Sequence, residues 1–260
     1  MSEPASQTSP DLVSIASRFN GPPGSGNGGY VGGLLAQHLE AGSGGIAGVT
    51  VTLRQPPPLE RALKVVDEGA GTFRLYDGDL LVAEAAPAGD DVLEGPGFEP
   101  VDPVPFEPAA ESSAHFLATH SVGNPYATCF VCGTDRAEGD GLRLFPGMLP
   151  QRPGVTACAW EPDASLTAPD GAHVRPEFVW AALDCPGGWT AMDLSTPLLL
   201  GRLTVRIDAV PFQGERCVVM GRLLGRDGRK VRTATTLYDG DGRVAAQAEA
   251  LWIAPRTDPA

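Results

Sequence analysis

Positive charge is scarce in this 260-residue sequence. Lysine occurs only at Lys64 and Lys230, and 19 Lys and Arg residues stand against 32 Asp and Glu residues, which gives a formal net charge of −13. Binding to nucleic-acid phosphates or to an anionic membrane surface depends on basic side chains. The composition therefore argues against a nucleic-acid-binding protein and against a protein that docks on membranes.

Long apolar runs and a paired set of cysteines are also missing. No apolar run has the length of a transmembrane helix, and the opening residues MSEPASQTSP lack the charged and apolar regions of a secretory signal. The five cysteines are odd in number and spread from 129 to 217, which makes a poor disulfide framework. We therefore expect a cytoplasmic protein with one large domain or two smaller ones.

The two halves of the chain repeat one pattern. The tetrapeptide YDGD occurs at 76–79 and at 238–241, each time between two β-rich runs, as in a hairpin. Two further pairs of segments match in the same order: 27–39 with 175–187, and 56–66 with 211–221. Three ordered matches indicate a duplicated unit.

Each half is predicted to hold one helix followed by strands, an α+β arrangement. In the second half we predict a helix over 176–185, and strands near 199–210, 215–225, 229–238 and 243–253. The segment 87–114 is rich in Pro and acids without usable periodicity, so we predict a linker that docks in extended form. The predicted divisions are a disordered N-terminus (1–11), a first unit (12–87), an acidic Pro-rich linker (88–127), a second unit (128–254) and a tail (255–260).

Several segments resemble proteins of the hotdog type. GNGGYVGGLL (26–35) and VTLRQPPPLERAL (51–63) resemble the central helix, and the strand with its proline turn, of the acyl-CoA thioesterase II family. CFVCGTDRAEGDGLRLFPG (129–147) resembles the opening of single-hotdog thioesterases of the phenylacetate-degradation type. ALDCPGG and VAAQAEALWI resemble the second half of the thioesterase II pattern. The resemblance implies two tandem hotdog folds, each a central helix wrapped by an antiparallel sheet, forming an intrachain pseudo-dimer.

The same resemblance implies an acyl-CoA thioesterase of fatty acid metabolism, with its site between the hotdogs and with no cofactor. Unpaired N–H groups at a helix start carry the positive end of the helix dipole and can hold the oxyanion of a thioester. Asn27, Gly28, Gly29 and Tyr30 are the candidates for this role. The alternative is a Gly-rich turn with Asn27 as an N-cap.

The repeat alignment separates the two parts of such a site. Gly28 and Gly29 fall opposite Pro176 and Glu177, while Asp184 falls opposite an alanine of the first half. One half would then supply amides and the other a carboxylate. Asp184 would orient or deprotonate the attacking water, or would instead be an acid bonded into the following CPGG turn.

Three further polar residues are candidates with open alternatives. The resemblance implies that Gln247 helps to hold the water, and that a Ser or Thr in the long strand, for which Thr204 is nearest, assists it. Either residue could instead be polar on the outer face of its strand. His173, just before the second helix, would contact substrate phosphate or serve only as a capping or surface residue.

Cys129 and Cys132 have the spacing of metal ligands, and His115 and His120 lie upstream. We expect no metal here, because the similar motif of other hotdogs stands at the edge of the domain without a general metal role.

The expected partner is a small-molecule acyl-CoA, and analogy with other hotdogs implies a homodimer. Its phosphates would need a local basic patch, for which Arg202, Arg206 and Arg229 are candidates. The alternative function is a non-catalytic acyl-CoA or lipid-binding hotdog protein. A hydratase or dehydratase is disfavoured, because no Asp and His occur at the spacing of those enzymes.

Overall fold

The computed structural model describes residues 11–42 and 47–256. Its helices and strands are, in chain order, β1 (Asp11–Ser14), α1 (Gly28–Gly42), β2 (Val49–Leu53), β3 (Ala62–Asp67), β4 (Phe73–Asp77), β5 (Leu80–Pro87), α2 (Asp90–Leu93), α3 (Phe106–His120), β6 (Gly147–Met148), β7 (Val155–Trp160), α4 (Pro176–Ala182), α5 (Cys185–Gly188), β8 (Leu199–Ile207), β9 (Cys217–Asp227), β10 (Lys230–Tyr238) and β11 (Val244–Ile253). Residues 1–10 and 257–260 of the predicted loose ends lie outside the described residues, whereas Asp11 begins β1.

The strands form one antiparallel sheet in the order β1-β3-β4-β5-β2-β8-β11-β10-β9-β7-β6. The halves join where β2 pairs with β8, with Val51 opposite Leu203. Both YDGD motifs lie at hairpin turns, one between β4 and β5 and one between β10 and β11, as the sequence predicts. Gly78 and Gly242 have φ values of +59° and +78° in these turns, a conformation that favours glycine.

Helices α1 and α4 pack against each other through glycines of α1. A Cβ added to Gly33 would lie 2.5 Å from the Cα of Glu177, and one added to Gly29 would lie 2.7 Å from the carbonyl oxygen of Trp180. Neither contact leaves room for a side chain, since the neighbour is main chain. The glycines therefore let the two helix backbones approach closely.

The second helix is shorter than predicted. α4 ends at Ala182 rather than at 185, and the short helix α5 begins at Cys185. Pro186 explains the break, because proline lacks the N–H that would donate to the carbonyl of Ala182 four residues earlier, and its ring clashes with that carbonyl in a continuous helix. The break turns the chain at Asp184, which thereby lies beside the start of α1.

The main core lies between these helices and one face of the sheet, and includes Leu35, Val51, Trp180 and Val205. A smaller core covers the opposite face in the second half, where Val101 and Ala109 pack with Ala157.

The segment between the halves docks on that opposite face. The N–H of Val101 donates to Thr236 Oγ1 (3.0 Å), and the hydroxyl of Tyr238 donates to the carbonyl of Val101 (2.8 Å).

The prediction that 87–114 docks in extended form is wrong in part, because this segment contains α2 and the start of α3. The α3 residues Ala109, Ser112 and Phe116 face the protein interior. The prolines and acids around this helix hid its apolar face from sequence reasoning. Strand β7, buried between β9 and β6, was also missed.

Among the described residues, no helix combines the length and the apolar character that crossing a membrane requires.

Candidate active site

A cavity of about 240 Å³ opens between the two halves of the protein. The first half contributes the start of α1, the end of β2 and the proline turn that follows; the second contributes the chain around Asp184, the start of β8 and the end of β11. Most of the wall is apolar, with Leu53, Trp189, Leu200 and Trp252 among its side chains. Such a lining, broken by a few polar groups, is typical of a site for an apolar ligand.

Asp184 is the carboxylate in this wall and is only 2% exposed. Its Oδ2 accepts a hydrogen bond from Asn27 Nδ2 (2.8 Å) and another from the N–H of Gly29 (3.0 Å). Its Oδ1 is buried and has no hydrogen-bond partner among the described residues. An acid of the second half therefore rests on the helix start of the first half, with one oxygen left for a ligand or a water molecule.

Burial is the main influence on this acid and raises the pKa of Asp184 to about 7. The hydrogen bond from Gly29 opposes the shift, as does the weaker influence of Asn27, because both bonds stabilise the ionised form. Cys129 adds to the rise through electrostatic repulsion.

Asn27 holds this arrangement together from the first half. While its Nδ2 donates to Asp184, its Oδ1 accepts from the N–H of Tyr30 (2.9 Å), as an N-cap does. The two alternatives of the sequence analysis are thus combined, since Asn27 caps α1 and also contacts the acid.

The two glycines of the predicted oxyanion site differ. The N–H of Gly29 is occupied by Asp184, so the expectation that it holds the substrate carbonyl is wrong. The N–H of Gly28 makes no hydrogen bond within residues 11–42 and 47–256, and Gly28 lines the cavity. A Cβ on Gly28 would stand 2.8 Å from the side chains of Leu53 and Leu200, so glycine keeps this part of the cavity open.

Thr204 and Gln247 do not line the cavity, which contradicts their predicted role beside the water. Leu203 and Val205 face the main core, so Thr204 between them faces the other side of the sheet. There its hydroxyl hydrogen-bonds Thr50 Oγ1 (2.9 Å). Gln247 is buried, donates to the carbonyl of Phe98 (2.6 Å) and accepts from Arg206. Both side chains therefore form hydrogen bonds on the face of the sheet opposite the main core.

Tyr30 and His173 also lie outside the cavity wall. The Tyr30 ring stacks on Phe19 with centroids 4.0 Å apart, and burial raises its pKa to about 12. His173 is partly exposed in a turn, where its Nδ1 is 2.6 Å from Asp170 Oδ2. His173 therefore matches the alternative of a surface residue, and its contact with a substrate phosphate stays a prediction.

Sequence reasoning missed several groups of the wall. Arg54 stands at the cavity, half-exposed and 3.4 Å from Glu84, whereas Arg202, Arg206 and Arg229 are not in the lining. Cys129, Cys132 and Cys185 also line the cavity, and all five cysteines of the chain are free and buried. The two upstream histidines do not join these cysteines: His115 is exposed, and His120 stacks on Phe116.

No protein-family model and no curated protein matches this chain. Its structure, however, is similar over nearly its whole length to that of the tesB protein of Mycobacterium avium subs paratuberculosis. The TM-score is 0.63 at 12% identity, covering 94% of this chain and 92% of that one.

A conserved protein of unknown function with a hot dog fold, from Alicyclobacillus acidocaldarius, gives a TM-score of 0.55 at 11% identity, covering 95% and 93% of the two chains. A structure from Novosphingobium aromaticivorans, described as a candidate thioesterase, gives 0.60 at 14% identity, covering 94% and 95%. Together with the repeated helix and sheet, these likenesses show that the chain has the double hotdog fold.

Proposed function

We propose that this protein is an acyl-CoA thioesterase that hydrolyses its substrate in the cavity between the two halves. The observation that supports this most is Asp184, a buried acid of one half that is held by the helix start of the other half beside an apolar cavity. The description of the Novosphingobium aromaticivorans neighbour as a candidate thioesterase agrees with this chemistry.

In this mechanism Asp184 acts as general base. Its Oδ2 is fixed by Asn27 and Gly29, while its Oδ1 has no partner in the described part of the chain and can accept a proton from a water molecule. The water oxygen attacks the thioester carbonyl, and a tetrahedral oxyanion forms. When the C–S bond breaks, the proton passes from Asp184 to the leaving thiolate, so that a free acid and coenzyme A are released.

The N–H of Gly28 is the donor for the oxyanion. It has no acceptor among the residues that the structure describes, lies at the first residue of α1 and borders the cavity, where the helix dipole favours negative charge. Since the N–H of Gly29 is bonded to the acid, the site offers one main-chain donor here rather than two.

The remaining walls suit the rest of the substrate. Leu198, Leu200, Trp189 and Trp252 would pack against an acyl chain. Arg54 is the basic side chain in the cavity wall and would meet a phosphate of the coenzyme A portion.

The test is the release of free thiol from acyl-CoAs of increasing chain length, with wild type beside Asp184→Asn. Loss of a general base lowers turnover by about 10²–10⁴-fold, and we expect that loss for Asp184→Asn. Asp241→Asn is the matched control, because Asp241 is exposed in the turn between β10 and β11. An Asp184→Asn protein as active as wild type would refute the mechanism.

One observation favours a second candidate, an acyl-CoA-binding protein without turnover. Thr204 and Gln247 lie across the sheet, so the cavity holds fewer polar groups for a water molecule than the resemblance implies. Such a protein would be stabilised by an acyl-CoA thioether, by about 2.7 kcal/mol at a ligand concentration 100 times Kd, and would release no thiol from any acyl-CoA. Thiol release that depends on Asp184 would exclude it.

A further inference from the structure

Three cysteines from separate parts of the chain meet in the cavity wall. Cys129 and Cys132 belong to the CFVC loop that precedes β6, and Cys185 is the first residue of α5. Their sulfur atoms all lie within 4.8 Å of one another, and all three side chains are buried. The expectation of no metal at Cys129 and Cys132 came from other hotdogs with a similar motif, and it did not include Cys185, which joins these two cysteines only in the folded chain.

The separation of the sulfurs fits a tetrahedral metal ion. With Zn–S bonds of about 2.3 Å, two sulfurs of a tetrahedral site stand about 3.8 Å apart. The sulfurs of Cys129 and Cys185 are 3.8 Å apart in the protein. A disulfide would require about 2.05 Å, so this pair is spaced for a shared ion and not for a bond.

The surroundings provide a donor directed at sulfur, as around thiolate ligands. The indole N–H of Trp189 donates to Cys132 Sγ (3.3 Å). The loop is also held tightly, because a Cβ on Gly133 would lie 2.4 Å from the carbonyl oxygen of Cys129. These features order the three sulfurs before any ion arrives.

We propose that Cys129, Cys132 and Cys185 form a binding site for a zinc ion, a site that goes beyond the proposed hydrolysis. Three thiolates suit a soft d¹⁰ ion and do not suit Mg²⁺ or Ca²⁺. All three cysteines border the cavity, so a water molecule from the cavity completes the tetrahedron. Asp184 Oδ2 stays bonded to Asn27 and Gly29, and neither oxygen of Asp184 lies within 4.8 Å of all three sulfurs, so the acid is not counted among the ligands.

The test uses the full-length reduced protein, freed of metal with a chelator and titrated with ZnCl2 or CoCl2 alone. We expect one ion per chain, and with Co²⁺ the thiolate charge-transfer bands and intense visible bands of a tetrahedral site. Cys185→Ser should weaken binding by more than about 100-fold, beyond the 10–100-fold effect of an outer partner. Trp189→Phe, which removes only a donor, should weaken binding about tenfold and keep the cobalt bands.

Cys158→Ala and Cys217→Ala are the matched controls, since both cysteines are buried in the sheet outside the cavity lining. Each should bind zinc as wild type does. The proposal is overturned if the reduced wild type retains no zinc and gives no thiolate-to-cobalt bands, if it forms a disulfide among these cysteines instead, or if Cys217→Ala lowers binding as much as Cys185→Ser. Because the readout is metal binding, this test can contradict the zinc site without contradicting the proposed hydrolysis, and the thiol-release test can do the reverse.

Discussion

The crossing of α1 and α4 allows a prediction whose sign depends on one close contact. Gly33 lies in the middle of α1, away from the cavity wall, and faces Glu177 of α4. In an exposed helix, replacing glycine by alanine stabilises the protein by about 1 kcal/mol. The Gly33→Ala change tests whether the contact with α4 outweighs that gain.

The contact is too short to be relieved by a rotamer change. The new Cβ would stand 2.5 Å from the Cα of Glu177 and 2.9 Å from the Cβ of Trp180, whereas ordinary contacts begin near 3.4 Å. The helices would have to separate by nearly 1 Å, and overpacking of this kind costs about 1–3 kcal/mol. Taking the upper end, because the neighbour is main chain, and subtracting the helix gain leaves a net loss of about 2 kcal/mol.

Thermal unfolding measures this loss. At roughly 2–4 °C per kcal/mol for chains of this size, Gly33→Ala should lower Tm by about 4–8 °C. Thiol release should fall as well, since the acid and the start of α1 come from the two helix regions that separate. Gly225→Ala is the control, because no atom lies within 4 Å of its added Cβ; it should change stability by less than about 0.5 kcal/mol. A Gly33→Ala protein with an unchanged or higher Tm would refute the account of the crossing.

Two further substitutions separate the cavity from the outer face of the sheet. Asn27→Ala removes the cap on Tyr30 and one donor to Asp184; urea unfolding should show a loss of about 1–3 kcal/mol, and thiol release should fall. An Asn27→Ala protein with wild-type turnover would show that Asp184 needs no support from Asn27. Gln247→Leu leaves the carbonyl of Phe98 without its donor, so stability should fall by about 1–3 kcal/mol while turnover of the folded protein stays at the wild-type value. A Gln247→Leu protein that unfolds as wild type does but no longer hydrolyses acyl-CoA would show that Gln247 acts in the active site.

The hairpins could be predicted from sequence because their determinants are local. An Asp-Gly turn between two β-rich runs depends on the φ values of two or three residues; Asp77-Gly78 supplies them within the first YDGD, and Asp241-Gly242, whose glycine follows the second YDGD, supplies them in the other half. Strands β9, β10 and β11 flank the turn over 227–230 and the second Asp-Gly turn. The predicted bounds of these three strands agree with the observed ones within about two residues.

The face of a strand was harder to predict. In VAAQAEALWI small residues occupy both faces, so the apolar pattern does not say which side is buried. The position of Glu249, two residues beyond Gln247 and bonded to Arg232, was the available indication that Gln247 faces outward.

Contacts between distant segments could not be predicted from the sequence. The bond between Gly29 and Asp184 joins residues 155 positions apart, and the cysteine cluster joins residues 56 positions apart. The glycines at the start of α1 predicted a role for bare main chain, but close helix packing and a free N–H group use glycine equally. Only the crossing of α1 and α4 assigns Gly29 to the first role and leaves Gly28 for the second.

The pairing of β2 with β8 has a consequence for the chain as a folding unit. Between its two ends, β1 and β6, which are four and two residues long, every strand has a partner on both sides. A chain cut between the halves would leave the nine-residue β8 at the edge of its sheet. The unpaired N–H and C=O groups of that edge could then hydrogen-bond a strand of another molecule. Each half produced alone should therefore self-associate, and the intact chain should unfold in a single cooperative transition.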